Sequence, residues 1–424
     1  TCAVPNSRQT SRVNVELINT GSELMLGRVL NTHQQWLCRR LADLGYVVTR
    51  QVAVADTGCD IEQAVREALT RANLVITTGG LGPTSDDITS DLIAQLLGKK
   101  LHEDASIVAH ITKFFTARQR PMPASTLVQA QVPEGAIVLP NPNGTAPGLA
   151  IKAADTKWLI MLPGPPRELR PMFNEAVVPL LQRQLPLDGE FVCRTLRTVG
   201  IGESQAADRI GKLLQPLIAQ GMDLGYCAHI GAVDVRFAAR GARALTLVQE
   251  AETITRVELA KHIFGTDDES LESVVVRLLT ERNQTLALAE SCTGGGLANR
   301  ITNVPDASAV LLASLVTYAN EAKQRFVGVS AETLAAHGAV SEAVAKEMAA
   351  GARRETGADY ALSVTGIAGP GGGSDAKPVG TVFIGFASVT ETIALKQFNP
   401  FDRETFKQVT ATQALEILRR KMLE

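Results

Sequence analysis

Aromatic side chains are scarce: Phe, Trp and Tyr make up 4% of the 424 residues. The core must therefore be filled by aliphatic side chains. With 35 glycines, that balance suits an α/β protein whose helices and strands approach closely. Cysteine is sparse too. Cys2, Cys38, Cys59, Cys193, Cys227 and Cys292 lie far apart and form no CxxC pair, which argues against a disulfide framework and a structural zinc site. No apolar run reaches the roughly 18 residues of a membrane-spanning helix. Neither sign of charge dominates, with 42 Lys plus Arg against 44 Asp plus Glu. A chain built mainly to coat nucleic acid or an anionic membrane would be skewed. Thr1 to Arg12 is polar, lacks a signal-peptide apolar core, and reads as a disordered leader. The cytoplasm is the expected compartment. At 45% apolar and 20% charged, the composition is that of a globular protein.

The length suggests about three domains. In the first, strand and helix patterns alternate: a strand at Val13 to Ile18, a helix from Gly27 to Leu44, a strand from Tyr46 to Ala55, a helix from Ile61 to Ala72 capped by Asp60, and the apolar strand Leu74 to Thr78. Repeated βα units imply a parallel sheet covered on both faces, with ligands at the carboxyl ends of its strands. The turn-rich stretch Leu185 to Gly189 and the break near Gly265 to Asp268 bound a small α+β module over 190–266. The last block, 268–424, contains strands that run into two Gly-rich loops, and a helix from about Arg403 to Lys421 closes the chain.

The first site candidate is the stretch Thr77 to Asp87. Gly79, Gly80 and Gly82 let a phosphate approach backbone N–H groups, Thr84 and Ser85 add hydroxyls, and Asp86 or Asp87 can hold a divalent cation through oxygen. The competing reading is a tight βα turn with its aspartates favouring the helix dipole. Gly21 and Glu23 after the first strand, Asp56 after the second, and the loop Asn143, Gly144, Thr145 share a position past strand ends, so a common pocket is expected.

The second candidate is Ser291, between a strand and a Gly-rich helix start. It reads as a nucleophile beside main-chain oxyanion donors or as a helix cap. No GxSxG elbow is present, which disfavours an α/β-hydrolase. His337, the one histidine after residue 266, sits in an Ala-rich helical context and suits the surface or core better than catalysis. Lys323 is a better source of a base, directly or through Tyr318, if Tyr318 lies at a strand end and Lys323 one turn into the next helix; a solvated surface lysine is the alternative. Thr365, Ser374 and Lys377 in the second Gly-rich loop, and Arg403, could hold a phosphate.

With these motifs in view, the chain resembles the bacterial competence/damage-inducible CinA family. TGSELMLGRVLNT, ITTGGLGPTSDDIT, NGTAPG and LPGPPREL, within 13–183, look like a MoaB/MogA-type molybdopterin-binding domain. Residues 190–266 look like the family's KH-like module. AESCTGG, TYANEAKQ, HGAVSEAVA and TGIAGPGGGSDAKPVGTV, within 268–424, look like its C-terminal domain. The resemblance implies hydrolysis of the nicotinamide mononucleotide amide to the nicotinate nucleotide and ammonia in the C-terminal domain. It implies metal-dependent ADP-ribose pyrophosphatase activity in the N-terminal one. Carried over, Ser291 is the nucleophile, Tyr318 and Lys323 activate it, Thr365 holds substrate or oxyanion, and Thr293, Gly294, Gly295, Gly366, Ala368, Lys377 and Arg403 contact substrate. Asp56, Asp86 and Asp87 are the expected metal ligands, and the amidase site is expected to need no cofactor. Departures from the family pattern are Ser22 for a usual aspartate, His33 for asparagine, Ala313-Ser314-Leu315 for glycines, and Lys407 for a second arginine. A homodimer is expected, with no membrane or nucleic-acid partner; the KH-like module lacks an evident GxxG with basic flanks. A non-catalytic nucleotide- or pterin-binding, competence-associated partner protein is the other functional class.

Overall fold

The computed structural model describes residues 13–424; the expected leader, Thr1 to Arg12, lies outside the described residues. The chain forms two compact units. One runs up to Cys193 and includes Arg240–Ala242; the other comprises Arg194–Ala239 and Arg243–Glu424.

The first unit is built on a six-stranded sheet in the order Val47–Val54, Asn14–Thr20, Leu74–Thr78, Lys157–Leu162, Gly148–Ala154, Ile137–Leu139. The first four are parallel, and the last two join antiparallel, an edge that βα periodicity alone does not reveal. Leu74–Thr78 is buried at every position because helices cover both faces of its sheet. The helix expected over Gly27 to Leu44 begins only at Thr32. Gly27 in the left-handed region (φ +66°) ends the short turn Ser22–Met25, and the Asn31 side chain caps Thr32–Asp43 by accepting from the Gln34 N–H. The cap of Gly58–Arg71 is Thr57, which accepts from the Asp60 N–H; Asp60 sits in the first turn, where its charge favours the dipole.

In the second unit, residues 194–266 supply a four-stranded sheet ordered Asp223–His229, Ala232–Arg240, Phe191–Val199, Ile263–Thr266, with two helices, Glu203–Ile218 and Ala244–Leu259. Phe191 to Cys193 and Arg240 fall to the first unit by their contacts. The C-terminal block carries a five-stranded sheet ordered Leu311–Val316, Leu286–Glu290, Tyr360–Gly366, Thr381–Ala387, Thr392–Phe398, the first three parallel and the rest antiparallel. The closing helix Arg403–Leu423 buries residues around its whole circumference, and its Phe406, Leu415 and Leu418 share a core with Val199 and Phe264 of the smaller module. Among the described residues no helix is long and apolar enough to cross a membrane.

Candidate functional site

The strand Leu286–Glu290 is the middle of three parallel strands and is wholly buried. Its carboxyl end therefore delivers the next residue, Ser291, to the sheet edge where parallel α/β proteins bind ligands. Ser291 is 9% exposed and its N–H donates to the Val364 carbonyl at 2.9 Å. The following chain turns through Gly294 (φ +61°) and Gly295 (φ +90°) into the helix Gly296–Thr302.

That turn is held by Glu290, which is 0% exposed. Its carboxylate accepts from the N–H groups of Gly295 (3.0 Å), Leu297 (3.0 Å) and Ala298 (2.8 Å), and from the Ser314 hydroxyl at 3.3 Å. A buried charge of this kind is tolerated because it is saturated with donors and placed at a helix start. Thus Glu290, not Ser291, caps the helix, and the serine hydroxyl is left for another partner.

That partner is Lys323. The strand Leu311–Val316 ends just before Thr317, and the helix Asn320–Val327 carries Lys323 on its first turn. Its Nζ lies 3.2 Å from Ser291 Oγ, 2.9 Å from the Thr317 carbonyl and 3.1 Å from the Tyr318 carbonyl. Lys323 is 1% exposed. Burial pulls its pKa below the ordinary lysine value, with the neighbouring Cys292 sulfur as the smaller, opposing influence. A neutral amine has two N–H donors and one lone pair. The ammonium form donates to all three oxygens; on losing a proton, Nζ can keep both carbonyls as acceptors and turn its lone pair to the Ser291 hydroxyl.

Tyr318 is 60% exposed, and its hydroxyl meets Arg403 Nη2 at 2.9 Å, not Ser291. Of the two routes open in the sequence, the geometry offers the direct one from Lys323. Arg403 also donates to the Gly369 carbonyl at 2.9 Å, which joins the closing helix to the second Gly-rich loop. The Thr365 hydroxyl donates to the Ala339 carbonyl (2.7 Å), and Lys377 Nζ to the His337 carbonyl (2.7 Å), so both are engaged in holding that loop. Gly366 ends its strand and Ala368 is buried. Thr293 is fully buried with an unpartnered hydroxyl. Lys407 Nζ stands 3.8 Å from where a Gly294 Cβ would be, which sets a second cation beside Arg403 over the turn. Cys292, next to Ser291, is 6% exposed, and burial pushes its thiol up to about 12. Glu290 was missed in the sequence; the signal was a carboxylate ending an otherwise apolar strand.

In the first unit, Gly21, Glu23, Asp56, Gly79, Gly80, Gly82, Asp86, Asp87 and Thr145 line one cavity of about 570 Å³ at the strand ends. Thr84, Asn143 and Gly144 are not among the residues lining it. The Thr84 hydroxyl donates to both Asp86 and Asp87, and that bond holds the Asp86 carboxyl below its usual range. Asp56 accepts from the Ser22 N–H at 2.8 Å. Buried Glu168 and Asn141 support the Asn143–Gly148 loop: Asn141 Nδ2 donates to the Ala146 carbonyl (2.7 Å) and to Glu168 (2.8 Å). A Cβ on Gly144 would lie 2.0 Å from Glu168 Oε2, so only glycine fits there. Among the described residues no three His, Cys, Asp or Glu side chains gather into a cation cage.

Comparison with known proteins follows this division. Residues 16–183 match a probable molybdopterin binding domain, 193–265 the damage-inducible protein CinA KH domain, and 268–422 the CinA C-terminal domain. A putative competence-damage inducible protein of Caldicellulosiruptor bescii is 43% identical over 414 residues, spanning 96% of this chain and 99% of that one. A CinA-like protein of Akkermansia muciniphila is 42% identical over 406 residues, 95% of this chain and 96% of its own. A crystal structure of the competence damage-inducible protein A from Klebsiella pneumoniae is 40% identical, covers 36% of this chain and 96% of its own, and has a TM-score of 0.36. The chain therefore belongs to the competence-damage inducible CinA family, with a molybdopterin-binding-type domain, a KH domain and a CinA C-terminal domain in that order.

Proposed function

We propose that the C-terminal block is a serine amidohydrolase that converts nicotinamide mononucleotide to nicotinate mononucleotide and ammonia. The observation that carries this reading is the 3.2 Å approach of a buried lysine to Ser291 Oγ. Neutral Lys323 takes the hydroxyl proton as Oγ bonds to the carboxamide carbon. The N–H groups of Cys292 and Thr293, which donate to no other main-chain oxygen among the described residues, face the developing oxyanion. As the carbon–nitrogen bond breaks, the Lys323 proton passes to the leaving nitrogen, which departs as ammonia and leaves an acyl ester on Ser291. Water then attacks the ester with Lys323 again as base, releasing the carboxylate. Arg403 and Lys407 supply two cations for the nucleotide phosphate. Incubating the purified chain with nicotinamide mononucleotide and assaying ammonia tests the proposal. Release is expected, with loss in Ser291→Ala; no release by the wild type, or full release by that variant, refutes it.

A second activity rests on the cavity of about 570 Å³ in the first unit, where carboxylates and glycine turns share one wall. We read it as a site for a nucleoside diphosphate sugar such as ADP-ribose, with hydrolysis of the pyrophosphate. A divalent cation there would be held by one or two of Asp56, Asp86 and Asp87 and would supply charge neutralisation for the pyrophosphate, the role Mg²⁺ commonly plays with few protein ligands. Calorimetric titration of ADP-ribose with and without Mg²⁺, followed by assay for AMP, checks it; absence of both heat and AMP refutes it.

A further inference from the structure

The second unit holds another cavity, lined by Lys261, Arg420 and Lys421 together with Glu203, Glu416 and Glu424, far along the closing helix from Ser291. The strand Phe191–Val199 passes through Gly200-Ile201-Gly202 into the 16-residue helix Glu203–Ile218. The start of such a helix presents unpaired N–H groups and a partial positive charge. At Gly200, a Cβ would stand 3.5 Å from Arg420 Nη2 and 3.9 Å from His262 Nδ1. The glycine turn, a guanidinium and an imidazole thus converge beside a cavity of about 740 Å³, with Lys261 at its rim and Val233 and Ile417 as apolar walls.

His262 is an independent sign of a ligand. It is 7% exposed and lines that cavity; its Nδ1 donates to the Val199 carbonyl at 3.1 Å, while Nε2, the acceptor of the neutral ring, is buried without a hydrogen-bond partner among the described residues. Buried ring nitrogens are normally paired. Arg420 is fixed through Nε by Glu416, a carboxylate already bonded twice by Arg419, so the outer guanidinium nitrogens of Arg420 are directed elsewhere. The Lys261 carbonyl accepts from Arg419 Nη2 at 3.2 Å, which pins the segment carrying His262. Glu203 and Glu424 also line the wall and can accept from ligand hydroxyl groups.

We propose that this cavity binds a small sugar phosphate of up to mononucleotide size. Its phosphate sits over the first turn of Glu203–Ile218 between Lys261 and Arg420, and one of its sugar hydroxyls donates to His262 Nε2. A dianion with three oxygens matches a helix start with two cations better than a carboxylate does. The volume lies within the range of small-molecule pockets. Arg403 and Arg420 are 17 residues apart on one helix, about 25 Å at 1.5 Å per residue, so this site is separate from the one at Ser291.

Hydrogen–deuterium exchange of the full chain with ribose 5-phosphate as probe tests the proposal. Slowed exchange is expected over 199–206 and 260–263, undiminished in Arg403→Ala. In the Lys261→Ala/Arg420→Gln double variant, the half-protecting concentration should rise about tenfold or more, the scale of losing a hydrogen bond to a charged group. Lys261→Glu, at an exposed position, should give the same shift should the double variant fail to fold. Ammonia release from nicotinamide mononucleotide should be unchanged in the Lys261 variants. No protection at millimolar probe, equal protection in the variants, loss in Arg403→Ala, or protection by an oligoribonucleotide but not by ribose 5-phosphate would each overturn it.

Discussion

Replacing Glu290 by glutamine keeps the side chain's shape and removes its charge. In the native chain Oε2 accepts from Gly295 and Leu297 and Oε1 from Ala298 and Ser314. An amide has one oxygen. Its better orientation keeps the Gly295 and Leu297 bonds and turns an NH₂ toward the Ala298 N–H, which is then buried and unsatisfied. That penalty is about 1–3 kcal/mol, and the bonds that remain fall from charged to neutral strength, so the loss totals about 2–4 kcal/mol. For a unit of this size the melting temperature should drop by roughly 5–15 °C. Differential scanning calorimetry of Glu290→Gln measures it, with Ser314→Ala as the control; the control loses only a 3.3 Å bond and should cost under about 1 kcal/mol. Ammonia release should decline as well, because the turn bearing Ser291 loses its anchor. A Glu290→Gln protein that melts within about a degree of wild type and keeps full activity would refute the role given to this carboxylate.

Because burial lowers the Lys323 pKa, the protonated form prevails at low pH, where it cannot accept the Ser291 proton. Amidase kcat/KM should therefore rise with pH through that lowered value, and Lys323→Met should lose about 10²–10⁴-fold with no alkaline limb. The same shift makes the unfolded chain the stronger proton binder between the lowered value and 10.5, so the second unit should gain stability with rising pH across that window. Gly351→Ala would put a Cβ 1.7 Å from the Val327 carbonyl oxygen, forcing apart the helices Asn320–Val327 and Glu342–Thr356. A loss of about 1–3 kcal/mol in urea titration is expected, together with weaker amidase activity as Lys323 shifts. Gly144→Ala drives a Cβ into Glu168 and should weaken ADP-ribose binding in calorimetry while leaving ammonia release intact.

The strands that feed the two sites were legible because each is a short apolar run ending in glycines, and the structure places Leu74–Thr78 and Leu286–Glu290 inside their sheets, each between two parallel neighbours and buried throughout. Less could be read where tertiary contacts decide. Leu311–Val316 lies at a sheet edge, half exposed, with no clean alternation, so its pattern gave no strand signal. Ile263–Thr266 is four residues long and is a strand only because Phe191–Val199 pairs with it. At the site, Ser291 and Lys323 are 32 positions apart, and only the parallel pairing of Leu286–Glu290 with Leu311–Val316 brings their chain segments together. The Glu290 cap was hidden for a similar reason. A carboxylate before a serine looks like a surface group until the glycine turn folds three N–H groups back onto it.

The burial of Cys292 bears on how the proposed amidase could be inhibited. A sulfur whose ionisation is deferred to about 12 is almost entirely thiol at neutral pH, and a thiol is a poor nucleophile. Iodoacetamide, maleimides and mild peroxide should pass it by, although it is the immediate neighbour of Ser291. Covalent probes for the pocket are better designed around oxygen-seeking electrophiles such as boronic acids, and oxidising conditions that disable thiol enzymes should leave this hydroxyl-based chemistry running.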